Sequence, residues 1–166
     1  MSEPLKVVPS STKVDTGVED TGAVASALAD ILSDTYALVL KTHAYHWNVE
    51  GPLFYALHHL TEEQYNNLFA ATDVLAERIR ALGHLAPMKM ADIVETSVIK
   101  DAEGTPSAGE MATDLANDHE RVASRLRDLV GLAEEKNNDP VTADLAIARA
   151  AFHEKAAWML RSLAAT

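Results

Sequence analysis

The chain has 166 residues, 48% hydrophobic and 23% charged, which suits one domain with a buried core and is too apolar for a disordered chain. Its net charge of −11, from 25 acids against 14 bases, opposes attraction to nucleic acid or to an anionic membrane. The absence of cysteine excludes disulfides, thiolate metal sites and cysteine nucleophiles. The opening MSEPLKVVPSSTK lacks the apolar core of a secretory signal. No stretch reads as the roughly 18 apolar residues of a membrane span, so a soluble, cytoplasmic protein is expected.

Residues 1–20 carry Pro4, Pro9 and Gly17 among many Ser and Thr, with no apolar period, and read as a flexible arm. From Thr21 the pattern changes. Val24, Leu28, Ile31, Leu38 and Thr42 recur at three-to-four spacing, which predicts a first helix ending near Asn48. Gly51-Pro52 breaks the chain. Leu53, Leu57, Leu60, Gln64, Leu68, Ala71, Leu75 and Leu82 then mark one stripe of a long second helix, stopped by Gly83.

Residues 83–106 form a long connection with a short helix expected around Met90 to Ser97. A connection of that length lets the next helix run parallel to the previous one. Ser107 and Glu110 have capping-box spacing, and Met111, Leu115, Val122, Leu126, Leu129 and Leu132 carry a third helix to about Lys136. Asp139 suits an N-cap and Pro140 the first position of a fourth helix, which runs to about Leu163 through Leu145, Phe152, Ala156 and Met159. The expected fold is all-α: a ferritin-like four-helix bundle over residues 21–166, with a long crossover between helices two and three.

Chemistry concentrates where helix one passes into helix two. His46 continues the apolar stripe of the first helix and therefore points inward. His58 and Glu62, four residues apart, share a face of the second, so one turn offers an imidazole and a carboxylate with His46 across the turn. Asp73 and Glu77 are another i,i+4 pair, two acids that repel unless a cation lies between them. Glu62 and Asp73 are separated by roughly 16 Å of helix rise. One helix cannot bring both pairs to one ion.

Two second helices crossing antiparallel about a two-fold axis would place the first pair of one subunit against the second pair of its partner. The candidate set is then His46, His58 and Glu62 from one subunit with Asp73 and Glu77 from another. Such a set suits Fe(II), with Mn(II) or Zn(II) as competitors. Plainer readings stand beside this one. An inward histidine is often a hydrogen-bonded core residue, and Asp73 and Glu77 beside Arg78 and Arg80 could be a solvated face. His43 and His59 differ in azimuth from the candidate ligands and read as supporting residues, Tyr45 and Trp47 as core or interface aromatics. His119 and His153, each next to a Glu, read as ordinary helix residues. No Glu-x-x-His motif occurs in the chain, which disfavours the usual di-iron site inside one bundle.

The run His46-Trp47-Asn48-Val49-Glu50-Gly51-Pro52-Leu53-Phe54, followed by His58, Glu62, Asp73, Glu77-Arg78 and Ile79-Arg80-Ala81-Leu82-Gly83, resembles the Dps family, the DNA-binding proteins from starved cells or mini-ferritins. The resemblance covers about residues 21–163. It implies a hollow dodecamer with a ferroxidase centre at each two-fold interface, whose ligands match His46, His58, Glu62, Asp73 and Glu77. By the same resemblance the protein oxidises Fe(II), with hydrogen peroxide preferred over dioxygen, and stores ferric mineral as a defence against oxidative stress. Trp47 matches a tryptophan near the iron in relatives, where it can donate electrons to a strong oxidant.

Two positions depart from the pattern. Many relatives have Asp where Glu62 stands, and some have a basic residue at the position of His43. The family's three-fold pore is lined by acids near the start of the last helix, where Asp144 matches best and Asp139 is also explained by capping. The family name promises DNA binding and a nucleoid role as an alternative function. Here the arm holds only Lys6 and Lys13 against Glu3, Asp15, Glu19 and Asp20, so weak or absent DNA binding is expected.

Overall fold

A computed structural model describes residues 4–12 and 14–165. Its long helices are α1 (Thr21–Asn48), α2 (Phe54–Ala81), α4 (Ala108–Val130) and α5 (Pro140–Ala164), with a short α3 (Met90–Thr96) in the crossover and no strand among the described residues. Each boundary has a local cause. The Asp20 carboxylate accepts from the Ala23 amide at 2.9 Å to start α1, and Ser107 and Glu110 close the reciprocal capping box of α4. At the end of α2, Gly83 adopts a φ of +92°, a conformation that glycine reaches without strain. The third long helix does run on toward Lys136, because Gly131–Glu135 widens into a π-turn instead of ending α4.

Cross-links between helices give their directions. From α1 to α4, Asp34 pairs with Arg125, Lys41 with Asp118, and Tyr45 donates to Asp114, so these helices are antiparallel. From α2 to α5, Arg149 donates to Asn67 and Arg78 to Asp139, again antiparallel. Since α1 and α2 form a hairpin, α4 runs parallel to α2, as the long crossover requires. The crossover is pinned by buried Asp34, which accepts from the Ser97 hydroxyl and the Val98 amide as well as from Arg125.

Val24, Leu28 and Leu38 of α1, Leu57, Leu68 and Leu75 of α2, and Leu115, Val122 and Leu126 of α4 form the fully buried core. Each large side chain stabilises the fold by about 1.5–3 kcal/mol through burial. The face of α5 differs in part from the expected stripe: Ala156 is buried as expected, Leu145, Phe152 and Met159 are only partly buried, and Ala143, Ala146, Ala150 and Leu160 face the core with His153. Alanine lets α5 approach closely, so its inner face carries little hydropathy signal.

A second correction concerns α1. It is long and apolar enough, with a window of mean hydropathy 1.5, to satisfy the length and composition test for a membrane span. That window is 56% buried inside the bundle, so its apolarity goes into the core.

The described residues of the arm lie partly against the end of α2. Arg80 donates to the Ser10 carbonyl at 3.1 Å, and a Cβ on Gly83 would come within 3.0 Å of the Thr12 carbonyl oxygen.

Candidate metal centre

The turn between α1 and α2 brings His46 and His58 face to face. Their rings stack with centroids 3.7 Å apart and planes inclined by 17°. His46 Nδ1 donates to the His58 carbonyl at 2.8 Å, and His58 Nδ1 donates to the His46 carbonyl at 2.9 Å. A carbonyl can only accept, so in both neutral rings the proton sits on Nδ1. Each Nε2 therefore keeps its lone pair for a metal ion, the arrangement by which outer hydrogen bonds orient histidine ligands. The hydroxyl of Thr61, 3.3 Å from His46 Nδ1 and bonded to the Leu57 carbonyl, closes off the inner side.

Glu62 lies one turn beyond His58, half exposed, with its carboxylate 3.8 Å from His59 Nδ1. His59 is itself exposed and packs its ring edge-on to Tyr55. His43 is held between Trp47, stacked at 4.8 Å, and Tyr65 at 3.9 Å, and Tyr65 in turn meets His46 edge-on at 5.2 Å. Trp47 is 67% exposed. The sequence did not single out Tyr65, although its place three residues after Glu62 puts it on the same side of α2.

Asp73 and Glu77 are exposed on α2. The two arginines that could neutralise them are engaged elsewhere: Arg78 donates to Asp139 and Thr142, and Arg80 to the His84 carbonyl and the arm. The acids thus remain a like-charged pair one turn apart, available to an external cation. Among the described residues of a single chain, no three histidine or acidic side chains converge to hold a metal. The chain brings His46 and His58 together with Glu62 a turn away, and it holds Asp73 and Glu77 apart from them.

The pore candidates separate clearly. Asp144 is exposed near the start of α5. Asp139 is 1% exposed and already committed: it caps α5 through the Thr142 amide at 2.9 Å and accepts from Arg78 at 2.7 Å. Burial alone would raise its pKa, but the bonds from Thr142 and Arg78 outweigh that and hold it below the usual carboxylate value. Asp139 is therefore corrected from pore candidate to helix cap, since a desolvated, ion-paired carboxylate offers nothing to a passing cation.

The sequence missed one feature entirely. His119 and His153, read as ordinary helix residues, are 0% and 1% exposed and face each other across α4 and α5 with Nδ1 atoms 2.9 Å apart. Burial pushes the pKa of His119 down to about 3, and that of His153 well below its ordinary value. Both are neutral and structural at pH 7.

Residues 25–166 match the ferritin-like domain family, and this helical arrangement with its inward histidines and outward acids belongs to that class. Among individual proteins, the chain is 36% identical over 139 residues to the DNA protection during starvation protein of Brevibacillus brevis, covering 84% of this chain and 93% of the relative. It superposes on the crystal structure of a Dps protein from Bacillus brevis with a TM-score of 0.82 at 35% identity, covering 86% of this chain and 95% of the other. The Dps protein of Vibrio cholerae O1, described as a member of a broad superfamily of ferritin-like diiron-carboxylate proteins, superposes with a TM-score of 0.80 at 28% identity, over 86% and 89% of the two chains. Within the ferritin-like proteins, the chain belongs to the Dps family.

Proposed function

We propose that this protein oxidises Fe(II), with hydrogen peroxide as preferred oxidant, and stores the ferric product inside a hollow cytoplasmic oligomer, limiting oxidative damage. The reading rests on one observation above others: the reciprocal Nδ1 bonds of His46 and His58 leave two oriented Nε2 lone pairs free of the chain's own carbonyls. Borderline imidazole and hard carboxylate donors together suit Fe(II). His46, His58 and Glu62 would bind from one subunit, and Asp73 and Glu77 from another across a two-fold axis. Family membership favours a dodecamer.

Fe(II) is the substrate. Two ferrous ions give up one electron each, peroxide takes both, its O–O bond breaks, and with two protons the oxygen leaves as two waters. Delivering both electrons at one site avoids release of a free hydroxyl radical. Trp47, joined to the His46 ring through His43 and Tyr65, would supply an electron when only one iron is present. Asp144 would line the entry pore, where a negative field concentrates hydrated cations.

Anaerobic Fe(II) titration followed by peroxide tests the reading. Saturation near two irons per site and rapid formation of soluble ferric product are expected. A His46→Ala, Glu62→Ala double variant that oxidises iron as fast as the parent would remove the site assignment.

The relatives' name favours a second reading, DNA protection by direct binding. The net charge of −11 and the acid-rich arm weigh against it. A gel shift at low salt should show weak retention or none, and tight retention would reverse the order of the two readings.

A further inference from the structure

At mid-height the bundle is polar where it should be driest. Among the described residues, Thr42 Oγ1, both polar atoms of the Gln64 amide, His119 Nε2 and Arg149 Nη2 are buried with no hydrogen-bond partner in the chain. Thr42 and His119 are 0% exposed and Gln64 is 3% exposed. These atoms come from α1, α2, α4 and α5, one helix after another around the bundle.

Cross-links between the helices place them at one level. Lys41 meets Asp118 between α1 and α4, and the ring of His43 meets Tyr65 between α1 and α2. Arg149 donates to Asn67 between α5 and α2, and His119 meets His153 between α4 and α5. Thr42 sits between Lys41 and His43, Gln64 precedes Tyr65, and His119 follows Asp118. The ring of contacts closes on itself, so the unpaired atoms share one layer.

Leaving five such atoms unpaired would cost as much as a whole domain's stability. We propose that this layer is a binding site for internal water, filled by about one or two molecules, each making about three hydrogen bonds. The mixture of groups selects the ligand. Gln64 Oε1 needs a donor, Arg149 Nη2 and Gln64 Nε2 need acceptors, and the Thr42 hydroxyl can serve either way.

The histidine pair adds one more requirement. With a hydrogen bond between the two Nδ1 atoms, one ring donates and the other accepts, so His119 Nε2 is a donor or an acceptor and needs a partner in either tautomer. Water satisfies all of these. A metal cation would face the Arg149 guanidinium, and a small anion would leave Gln64 Oε1 unpaired.

Gln64 also lines a crevice of about 210 Å³ on the α2–α5 side, with Asn67, Phe152 and Lys155 among others. Gln64 contributes to both the layer and the crevice, Asn67 is the partner of Arg149, and the Arg149 guanidinium lies over the Phe152 ring at 4.4 Å.

Oxygen-17 magnetic relaxation dispersion on the assembled full-length protein counts long-lived internal waters. The parent should show at least one per chain, and Gln64→Leu and Thr42→Val should each lower the count. No long-lived water in the parent, or an unchanged count in both variants, overturns the proposal. A high-resolution crystal structure of the parent gives a second readout that needs no variant. Density bonded to Gln64 and His119 supports the site; direct bonding of the Gln64 amide to His119 and Arg149 with nothing between them refutes it, as does a bromide anomalous peak there.

Discussion

Asp139 illustrates how one carboxylate can be claimed by structure before function reaches it. Its side chain is 1% exposed and that of its partner Arg78 13%, so removing either leaves a charge without compensation in a poorly solvated place. Asp139→Ala should destabilise the folded chain by about 3 kcal/mol, the loss of a cap and a buried pair together. Asp139→Asn, which keeps the capping oxygen without the charge, should cost about 1 kcal/mol less. Denaturant unfolding of the two variants checks the order, and equal costs would mean that the capping oxygen contributes nothing and the lost charge accounts for the whole effect. The sign with pH follows from the lowered pKa of Asp139: the bound proton is disfavoured in the folded state. Its contribution is therefore present above the ordinary carboxylate value and is lost as pH falls through the folded one. The cap itself was legible, because Asp139-Pro140 is a start signal that depends only on neighbours in sequence. So was the shared side of α2 on which His58 and Glu62 stand one turn apart, which four-residue spacing fixes, although the Glu62 carboxylate lies 3.8 Å from His59 Nδ1. The reciprocal bonds of His46 and His58 were not legible, since they depend on how the Gly51-Pro52 turn sets two consecutive helices against each other, bringing together residues twelve apart in chain order.

Elements whose cores are built from large aliphatic side chains announce themselves, and those built from alanine do not. The leucine stripe of α2 located both of its ends and its buried face. In α5 the stripe Leu145, Phe152, Ala156 and Met159 met the buried face only at Ala156, its larger members lying at the edge of the core, because the small residues that allow close packing on α4 carry little contrast. The same blindness hid His153, which lies on that alanine face, and with it the pair that it forms with His119 of α4. The pair has a measurable consequence for the α4–α5 contact. With the folded pKa of His119 near 3 against an ordinary value of 6.5, the unfolded chain binds a proton between these limits and the folded chain does not. Stability is then complete above about pH 6.5 and declines as pH falls below it, by up to roughly 1.4 kcal/mol per pH unit for each such histidine. The facing groups reinforce this direction: Arg149 adds a positive charge, and protonating the accepting ring on its Nδ1 breaks the contact between the rings. Denaturation midpoints between pH 7.5 and 5.5, above the main carboxylate range, should fall more steeply for the parent than for a His119→Leu, His153→Leu double variant. Equal slopes would assign the acid sensitivity elsewhere.

For the whole molecule, the decisive matter is where the two halves of the candidate centre meet. Helical geometry keeps Glu62 and Asp73 roughly 16 Å apart along α2 in any single chain, so no rearrangement of side chains unites the sets without a second copy. On the proposed reading, a two-fold axis between antiparallel α2 helices would create two equivalent centres, each drawing its histidines from one subunit and its second acid pair from the other. That division can be tested by complementation. A His46→Ala, His58→Ala variant and an Asp73→Asn, Glu77→Gln variant should each be inactive in iron oxidation as pure assemblies, for different reasons. When the two are co-expressed and assemble at random, half of the dimers are mixed. In a mixed dimer one centre receives native histidines from one chain and native acids from the other, while the second centre receives neither. About a quarter of the parent's centres should therefore be restored, and with them about a quarter of the initial oxidation rate. A centre held within one chain would give no recovery at any mixing ratio, because every chain would carry one damaged half. Recovery near a quarter, rising and falling with the ratio of the two variants and largest at equal amounts, is the quantitative signature of a centre shared between subunits.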